Sequence, residues 1–481
     1  MNRLKFSVSW LRRNAALSGL GVLLAAAAPC AAADAGGYDV VGFGASGRDV
    51  RTDTAAIQRA IDACAKNGGG RVTVPDGFHA TVASIELRSH VELYLGRGAV
   101  LLASPHHADF TKFSSWPISF PGEPAPRSGV VVYAEDATDV ALTGPGTIDG
   151  NSDAYISERG TEIHKCPNNR PFPVVFFRCT RVTVRDVVLA HSANWTLKLM
   201  GCDDGLIDAI RIQGDMLIPN NDGIDIDWSS NVRIRGCHIV TGDDCISLKT
   251  TPENLGLNRP CENIVVTNCT LVSRSAGIAV GCDVNGTIRD AVFSDCVIKD
   301  SHRGVAVRLS TNGSIERIQF NNMSIETRRF DSRWWGAGEP IQVLAMPWNK
   351  DYHNGVIRDV RFNNLVCRGE NGAVIVSNEP GHIQGIEFDH VSLLIDKTTA
   401  YDGGYQDFRP NEIEPMPRLP VSGVLLRHAA GVTFRDCTVT WGANRPAYYG
   451  SAVDAADCPG LKVDGLAGEA AHSGEAARVI R

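Results

Sequence analysis

From residue 182 onward the chain repeats one short pattern: apolar-x-apolar-x, then Asn, Asp or Gly, then Cys or an apolar residue, then x-apolar. Clear copies occupy 182–189, 232–239, 264–271 and 291–298. Further copies begin at Ile318, Val360, Ile386, Val432 and, more weakly, Leu461. The alternation has the two-residue period of a strand, and no copy shows a helical 3.6-residue period. The spacing is irregular, roughly 25–45 residues, within the range of solenoid repeats. Short strands broken by Asn, Asp and Gly and wound repeatedly predict an all-β fold, a parallel β-helix.

A second short strand follows most copies, at 222–227, 244–249, 277–281, 304–308, 340–343 and 373–376. Stacked on one another, these predict a sheet whose inward side chains are Ile224/Ile226, Ile246/Leu248, Ile278/Val280, Val305/Val307 and Ile341/Val343. The residues between them, Lys249 included, are expected to face outward. The column just before the strands then holds Asp222, Asp244, Ala276 and Arg303. With Asp243 beside Asp244, three carboxyl groups from two adjacent coils fall within one small patch, because adjacent strands lie about 4.8 Å apart. Like charges that close do not all ionise freely, so one carboxyl is expected to hold a proton near neutral pH. A proton donor beside an ionised base is the equipment for cleaving a glycosidic bond.

Of the 481 residues, 43% are hydrophobic and 21% charged, as in a soluble protein with a large core. The repeat predicts one elongated domain over 34–481. The net charge of −7 favours neither nucleic acid nor an anionic membrane as partner. Arg3, Lys5, Arg12 and Arg13 precede an apolar run over 15–28 and a small-residue stretch at 31–33. That order predicts an export signal over 1–33, with a loose twin-arginine pattern, and so a periplasmic or secreted protein without a membrane anchor once the signal is removed. Thr52-Asp53-Thr54 is expected to cap a helix with Ile57, Ala60, Ile61 and Cys64 on one face, plugging the first coil and stopping at the glycines 68–70. The 13 cysteines outside the signal are an odd number, which argues against a disulfide scaffold. Those at 237, 269, 296 and 437 share one repeat position and read as small core residues.

The entry Val40-Val-Gly-Phe-Gly-Ala45 with Asp53-Thr-Ala-Ala-Ile-Gln58, His191-Ser-Ala-Asn-Trp-Thr-Leu197, Asn220-Asn-Asp-Gly223 and Gly242-Asp-Asp-Cys245 together resemble glycoside hydrolase family 28, the polygalacturonases and their relatives. The resemblance covers nearly the whole mature chain. It implies a single-stranded right-handed parallel β-helix, an inverting mechanism without metal or cofactor, and a pectic, galacturonate-containing polysaccharide or oligosaccharide as substrate. It makes Asp222, Asp243 and Asp244 catalytic, with Asp244 as general acid and the other two activating water. It also implies a disulfide between Cys245 and Cys261. Two departures bear on specificity: Ser275-Ala276-Gly277 stands where the family has Gly-His-Gly, and Ala306-Val307-Arg308 where it has Arg-Ile-Lys. These shift the expectation from plain homogalacturonan hydrolysis toward a rhamnogalacturonan-type, exo-acting or other altered specificity. Asn220, Lys249, Arg303 and Arg308 are the expected polar contacts to substrate, and Trp195, Trp334 and Trp335 the expected sugar platforms. A monomer is expected.

Other readings compete. The Asp residues fit turns at coil corners or a Ca²⁺ site. Two alternatives of other classes are a Ca²⁺-dependent polysaccharide lyase and a non-catalytic carbohydrate-binding β-helix.

Overall fold

The computed structural model describes residues 37–114, 128–252 and 256–481; the predicted signal over 1–33 lies outside them. The chain from Tyr38 to Arg481 forms one unit. It is a right-handed parallel β-helix with one long helix at its N-terminal end. No described helix is long and apolar enough to cross a membrane.

The repeat owes its Asn, Asp or Gly to backbone geometry. The fifth residue of every copy but the weak one at Leu461, namely Asp186, Gly236, Asn268, Asp295, Asn322, Asn364, His390 and Asp436, has φ between 49° and 64°. That left-handed conformation costs most residues about 1–2 kcal/mol and suits Gly, Asn and Asp. It bends the chain sharply between two strands, and the corners then stack. Asn364 donates to Asn322 Oδ1 at 2.9 Å, for example. Inside the corners the aromatic residues stack as well. Phe293, Phe320, Phe362, Phe388 and Phe434 form a column with ring centroids 5.0, 5.2, 4.9 and 4.8 Å apart.

The helix α1 (Val50–Lys66) buries Ala56, Ile57, Ala60, Ile61 and Cys64 against the first coils. Its cap differs from expectation by one short step. Asp49 accepts from Thr52 N at 2.8 Å, whereas Asp53 is buried inside the first turn and accepts from Ser46, Gly47 and Asp49 backbone N–H groups. Gly68, Gly69 and Gly70 all have positive φ and end the helix.

Six consecutive strands of one sheet matter most: β1 (Leu197–Met200), β2 (Ile224–Asp227), β3 (Ile246–Thr250), β4 (Ala276–Val284), β5 (Arg303–Leu309) and β6 (Glu339–Ala345). All pair in parallel. The register pairs Ile224 with Ile246, Ile278 and then Val305, and Ile226 with Leu248, Val280 and then Val307. These residues are fully buried in the core. The outward positions of this sheet are buried too, Asp225, Asp227, Ser247, Lys249, Ala279 and Arg308 among them. Long connections cover this face. On the other faces the outward residues stay open, as the alternating burial of 314–327 and 357–369 shows.

The expected Cys245–Cys261 disulfide is not formed. All thirteen described cysteines are free thiols. Cys245 sits inside its coil, with Sγ 3.2 Å from Val272 O and 3.3 Å from Thr241 Oγ1, whereas the Cys261 thiol meets Ile226 O. Both are fully buried and behave as small core residues, like the cysteines of the repeat.

Candidate active site

Asp222 and Asp244 lie two residues before the paired Ile224 and Ile246. The ladder continues into this stretch: Gly223 N donates to Asp244 O at 2.9 Å and Cys245 N to Ala276 O at 3.0 Å. One oxygen from each of Asp222, Asp243 and Asp244 falls within 4.8 Å of the others. Gly223 and Gly242 are required here. A Cβ at Gly223 would stand 2.4 Å from Cys245 O, and one at Gly242 would stand 2.3 Å from Ile218 O. Asn221 fixes the turn that carries the Asp pair, because its Oδ1 accepts from Gly242 N at 2.7 Å and Asp243 N at 3.1 Å.

The three carboxyls have different environments. Asp244 Oδ1 accepts from Ser275 Oγ at 2.7 Å and Ala276 N at 2.9 Å, and Oδ2 from Arg308 Nη2 at 3.1 Å. Burial pushes its pKa up, but Arg308, then Lys249, Ser275 and Ala276, outweigh burial and hold Asp244 below the usual carboxylate range. Asp243 is the most open of the three. It accepts from Asn220 N and Asp244 N, yet burial and the charge of Asp244 raise it to about 6. Asp222 is raised well above the ordinary value by burial first, then by Asp225 and Asp243. Within the cluster a proton therefore favours Asp222 and Asp243 over Asp244. This corrects the expectation that Asp244 is the protonated member. Proximity to two other Asp residues argued for a proton there; the Arg308 guanidinium, which arrives from β5, reverses it.

The remaining predicted residues divide. Lys249 Nζ is 3.7 Å from both Asp222 Oδ2 and Asp225 Oδ1 and 4.7 Å from the Trp195 ring centroid. It points outward from its strand, as expected, but is buried beneath the cleft, and its carboxylate neighbours hold it charged despite desolvation. Asn220, Trp195, Trp334, Trp335, Lys249 and Arg308 all line a cavity of about 240 Å³ above the three Asp residues. Trp334 is only 3% exposed and its Nε1 donates to Glu162 O, so its ring serves more as wall than as platform. Trp335 is more open and meets Trp348 edge-on at 6.4 Å.

Arg303 is the second correction. It stands in the column of Asp222 and Asp244 by register, but it is 0% exposed and outside the cavity lining. Its guanidinium donates to Glu339 Oε1 at 2.7 Å and Asp407 O at 3.0 Å. Asp407 in turn accepts from Arg409. Arg303 anchors the connection around Asp407 to the helix and is not available to a substrate.

Four contributions escaped the sequence reading. Asn221 differs from Asn220 by one position, and only the structure separates the positioning residue from the lining one. Asp225, between two inward isoleucines, is buried under Lys249 with its pKa raised to about 7, chiefly by burial. Arg170 lies behind Pro219, where its Nη1 donates to Ala193 O and Pro219 O, both at 2.7 Å. Glu162, on a connection far upstream, contacts Arg274, Trp334 and Tyr401. The alternating pattern identifies strands, and three of these four lie in connections.

Fold and site together define a β-helix protein with a carboxylate cluster at the floor of an aromatic-walled cleft. Residues 118–330 match the model of the glycosyl hydrolases family 28, which supports a polygalacturonase-like family for this chain. It is 32% identical over 268 residues to a probable polygalacturonase from Vitis vinifera, a match that covers 52% of each chain. A probable polygalacturonase from Arabidopsis thaliana is 26% identical over 46% of this chain and 44% of its own length. The chain thus spans about half the length of the curated relatives it matches. Among solved structures, an exopolygalacturonase from Thermotoga maritima superposes with a TM-score of 0.64 at 22% identity, covering 84% of this chain and 91% of that one. A family 28 exopolygalacturonase from Yersinia enterocolitica gives the same TM-score at 18% identity, covering 89% and 78%.

Proposed function

We propose that this protein is an exported glycoside hydrolase that cleaves a pectic, galacturonate-containing saccharide with inversion. The observation that carries the reading is the convergence of three carboxyls in different environments, Asp244 held by Arg308, Ser275 and Ala276 and Asp243 open to the cleft. Asp243, raised to about 6 and open to the cleft, is the general acid that protonates the leaving oxygen. Asp244, kept ionised by Arg308, is the base that takes a proton from water. Asp222, beside both, orients that water. Asp244 already accepts three hydrogen bonds, which suits it to hold a proton acceptor's charge in place and disfavours its attack on the sugar. Lys249 offsets part of the negative charge from beneath. The kinship with polygalacturonases supports a pectic substrate. The N-terminal pattern of basic, apolar and small residues supports export.

The test is incubation with a panel of pectic polysaccharides, following new reducing ends and the absorbance of unsaturated products. Hydrolysis gives only the first. The fresh product's anomer, read by NMR, must be opposite to that of the bond cut. Unsaturated ends that vanish with chelator would instead establish a Ca²⁺-dependent lyase. Binding without either signal would leave a carbohydrate-binding module.

A further inference from the structure

The geometry points to a site that takes the end of a saccharide chain and excludes its interior, an inference that rests on the hydrolase reading above and adds its mode of attack. The feature that carries it is a clasp centred on Glu162. Residues 156–166 leave the coil after the short helical turn Ser152–Tyr155 and form a hairpin, with Glu158 and Lys165 bridged antiparallel. His164 N donates to Leu217 O at 2.7 Å, so the hairpin rests on the connection that leads into Asp222. Its tip then reaches Arg274, just ahead of β4, where Glu162 Oε2 is 3.2 Å from Arg274 Nη1. The coil after this hairpin contributes the strand Phe172–Phe177, and the coil of Arg274 lies four rises further along. At about 4.8 Å per rise, the hairpin extends roughly 19 Å along the axis, past the strand-entry side of both coils that hold the Asp residues.

Two other connections fasten to the same residue. Trp334 Nε1 donates to Glu162 O at 2.8 Å, and Tyr401 OH to Glu162 Oε2 at 2.9 Å. These three segments are far apart in sequence and belong to different coils, yet they meet at one carboxylate and its carbonyl. Ile163 and Trp334, the neighbours of these bonds, both line the cavity. The clasp is therefore the wall of the cleft on the side where the chain enters the strands. Trp335 and Trp348 stand on the same cavity. The space in this cleft, about 240 Å³, is smaller than the roughly 300–1,000 Å³ of clefts that bury drug-sized ligands. It has room for a terminal sugar and its neighbour. Trp335, just before the strand Glu339–Ala345, meets Trp348, just after it, edge-on at 6.4 Å, so a polymer continuing along the face past this point would have to part them.

Two measurements test this. In the first, polymer length and new reducing ends are followed together. Mono- or disaccharide is expected as the first product, with mean polymer length nearly unchanged while reducing ends accumulate; an early ladder of intermediate sizes would overturn the inference. Opening the clasp with Glu162→Ala and Tyr401→Phe combined should raise the share of products longer than a disaccharide several-fold, and an unchanged product pattern would remove the clasp as the cause. The second measurement needs no turnover. Oligosaccharides of two to eight units are titrated into the Asp243→Asn variant by tryptophan fluorescence. Affinity should level off by about three units in the clasped protein. Affinity that keeps rising through six or more units refutes a chain-end site, whether or not any substrate is hydrolysed. No new reducing ends from any glycan, with affinity still levelling off early, would sink the hydrolase reading and leave the chain-end site standing.

Discussion

Two faces of this β-helix carry charged residues at equivalent outward positions, and they differ in what lies on top. On the open face Arg317 forms a bidentate pair with Asp290 on the coil before it, at 2.7 and 2.9 Å, with both side chains about 40% exposed. On the covered face Lys198 is paired with Asp227 at 3.0 Å and Arg308 with Asp244 at 3.1 Å, with each side chain at most 6% exposed. Both faces are built of parallel strands. Solvent screens the first pair and reduces it to a surface ion pair of small worth. The covered pairs sit in a medium where charges act strongly, and there Arg308 outweighs the burial of Asp244 and holds it below the usual carboxylate range. Cover, more than residue type, separates a structural ion pair from acid–base machinery.

The sharpest break of this comparison is Asp243→Asn. It removes the raised, open carboxyl, and kcat on polymer should fall by about 10²–10⁴ with little change in KM. A substrate with an activated aryl leaving group should recover part of the loss, because it needs less protonation. Turnover near wild type on the natural substrate would return Asp243 to the role of a turn residue.

Arg308 tests the covered ion pair. In Arg308→Met the Asp244 carboxyl loses its strongest opposing charge, so its pKa should rise. On the proposed mechanism activity needs Asp244 ionised and Asp243 protonated, so the wild-type profile should be bell-shaped, with an acid limb below the ordinary Asp value and a basic limb near 6. The Met variant should move the acid limb upward, narrow the bell and lower its maximum. Arg308→Lys should restore the limb in part. If Arg308 gripped a substrate carboxylate instead, its loss would raise KM for acidic oligosaccharides and leave the acid limb in place.

Asp225 gives a smaller effect, on stability. Its folded pKa of about 7 lies above the ordinary 3.8, so the folded state holds the proton more tightly than the unfolded chain. The stability this contributes is fully present below about 4 and is lost as pH rises through about 7. Asp225→Asn should remove that loss, so its melting temperature relative to wild type should be higher at pH 8 than at pH 4. Parallel melting curves across this range would show that Lys249 already neutralises Asp225. The smallest effect is expected from Arg317→Ala on the open face: no measurable change in melting temperature or activity. A substantial loss there would collapse the contrast between the two faces.

These distinctions follow how much the sequence discloses. The repeat, the inward residues, the register of Ile224 with Ile246 and the meeting of three Asp residues were all readable, because strand period and stacking determine them locally. Arg303 was misplaced by the same logic. Register put it in the Asp column, but Glu339 and Asp407, one coil and many residues away, claim its guanidinium. The proton on Asp244 was misassigned because repulsion by near neighbours was visible, whereas the approach of Arg308 was not. Glu162 carried no signal at all. A connection has no period, and its partners Arg274, Trp334 and Tyr401 are brought to it only by the completed coil.

The phenylalanine column has a consequence for how such a molecule changes over time. Its five rings keep a near-constant step, whether the chain between two of them runs directly to the next coil or first departs through residues 328–338 or 396–420. The spine counts coils and ignores what hangs from them. An insertion between two rings lengthens a connection without shifting any later strand out of register. The wall of the cleft is free to drift, duplicate or shrink, while the Asp residues remain where the column holds them. A lineage built on this chain can try new substrates without refolding its core.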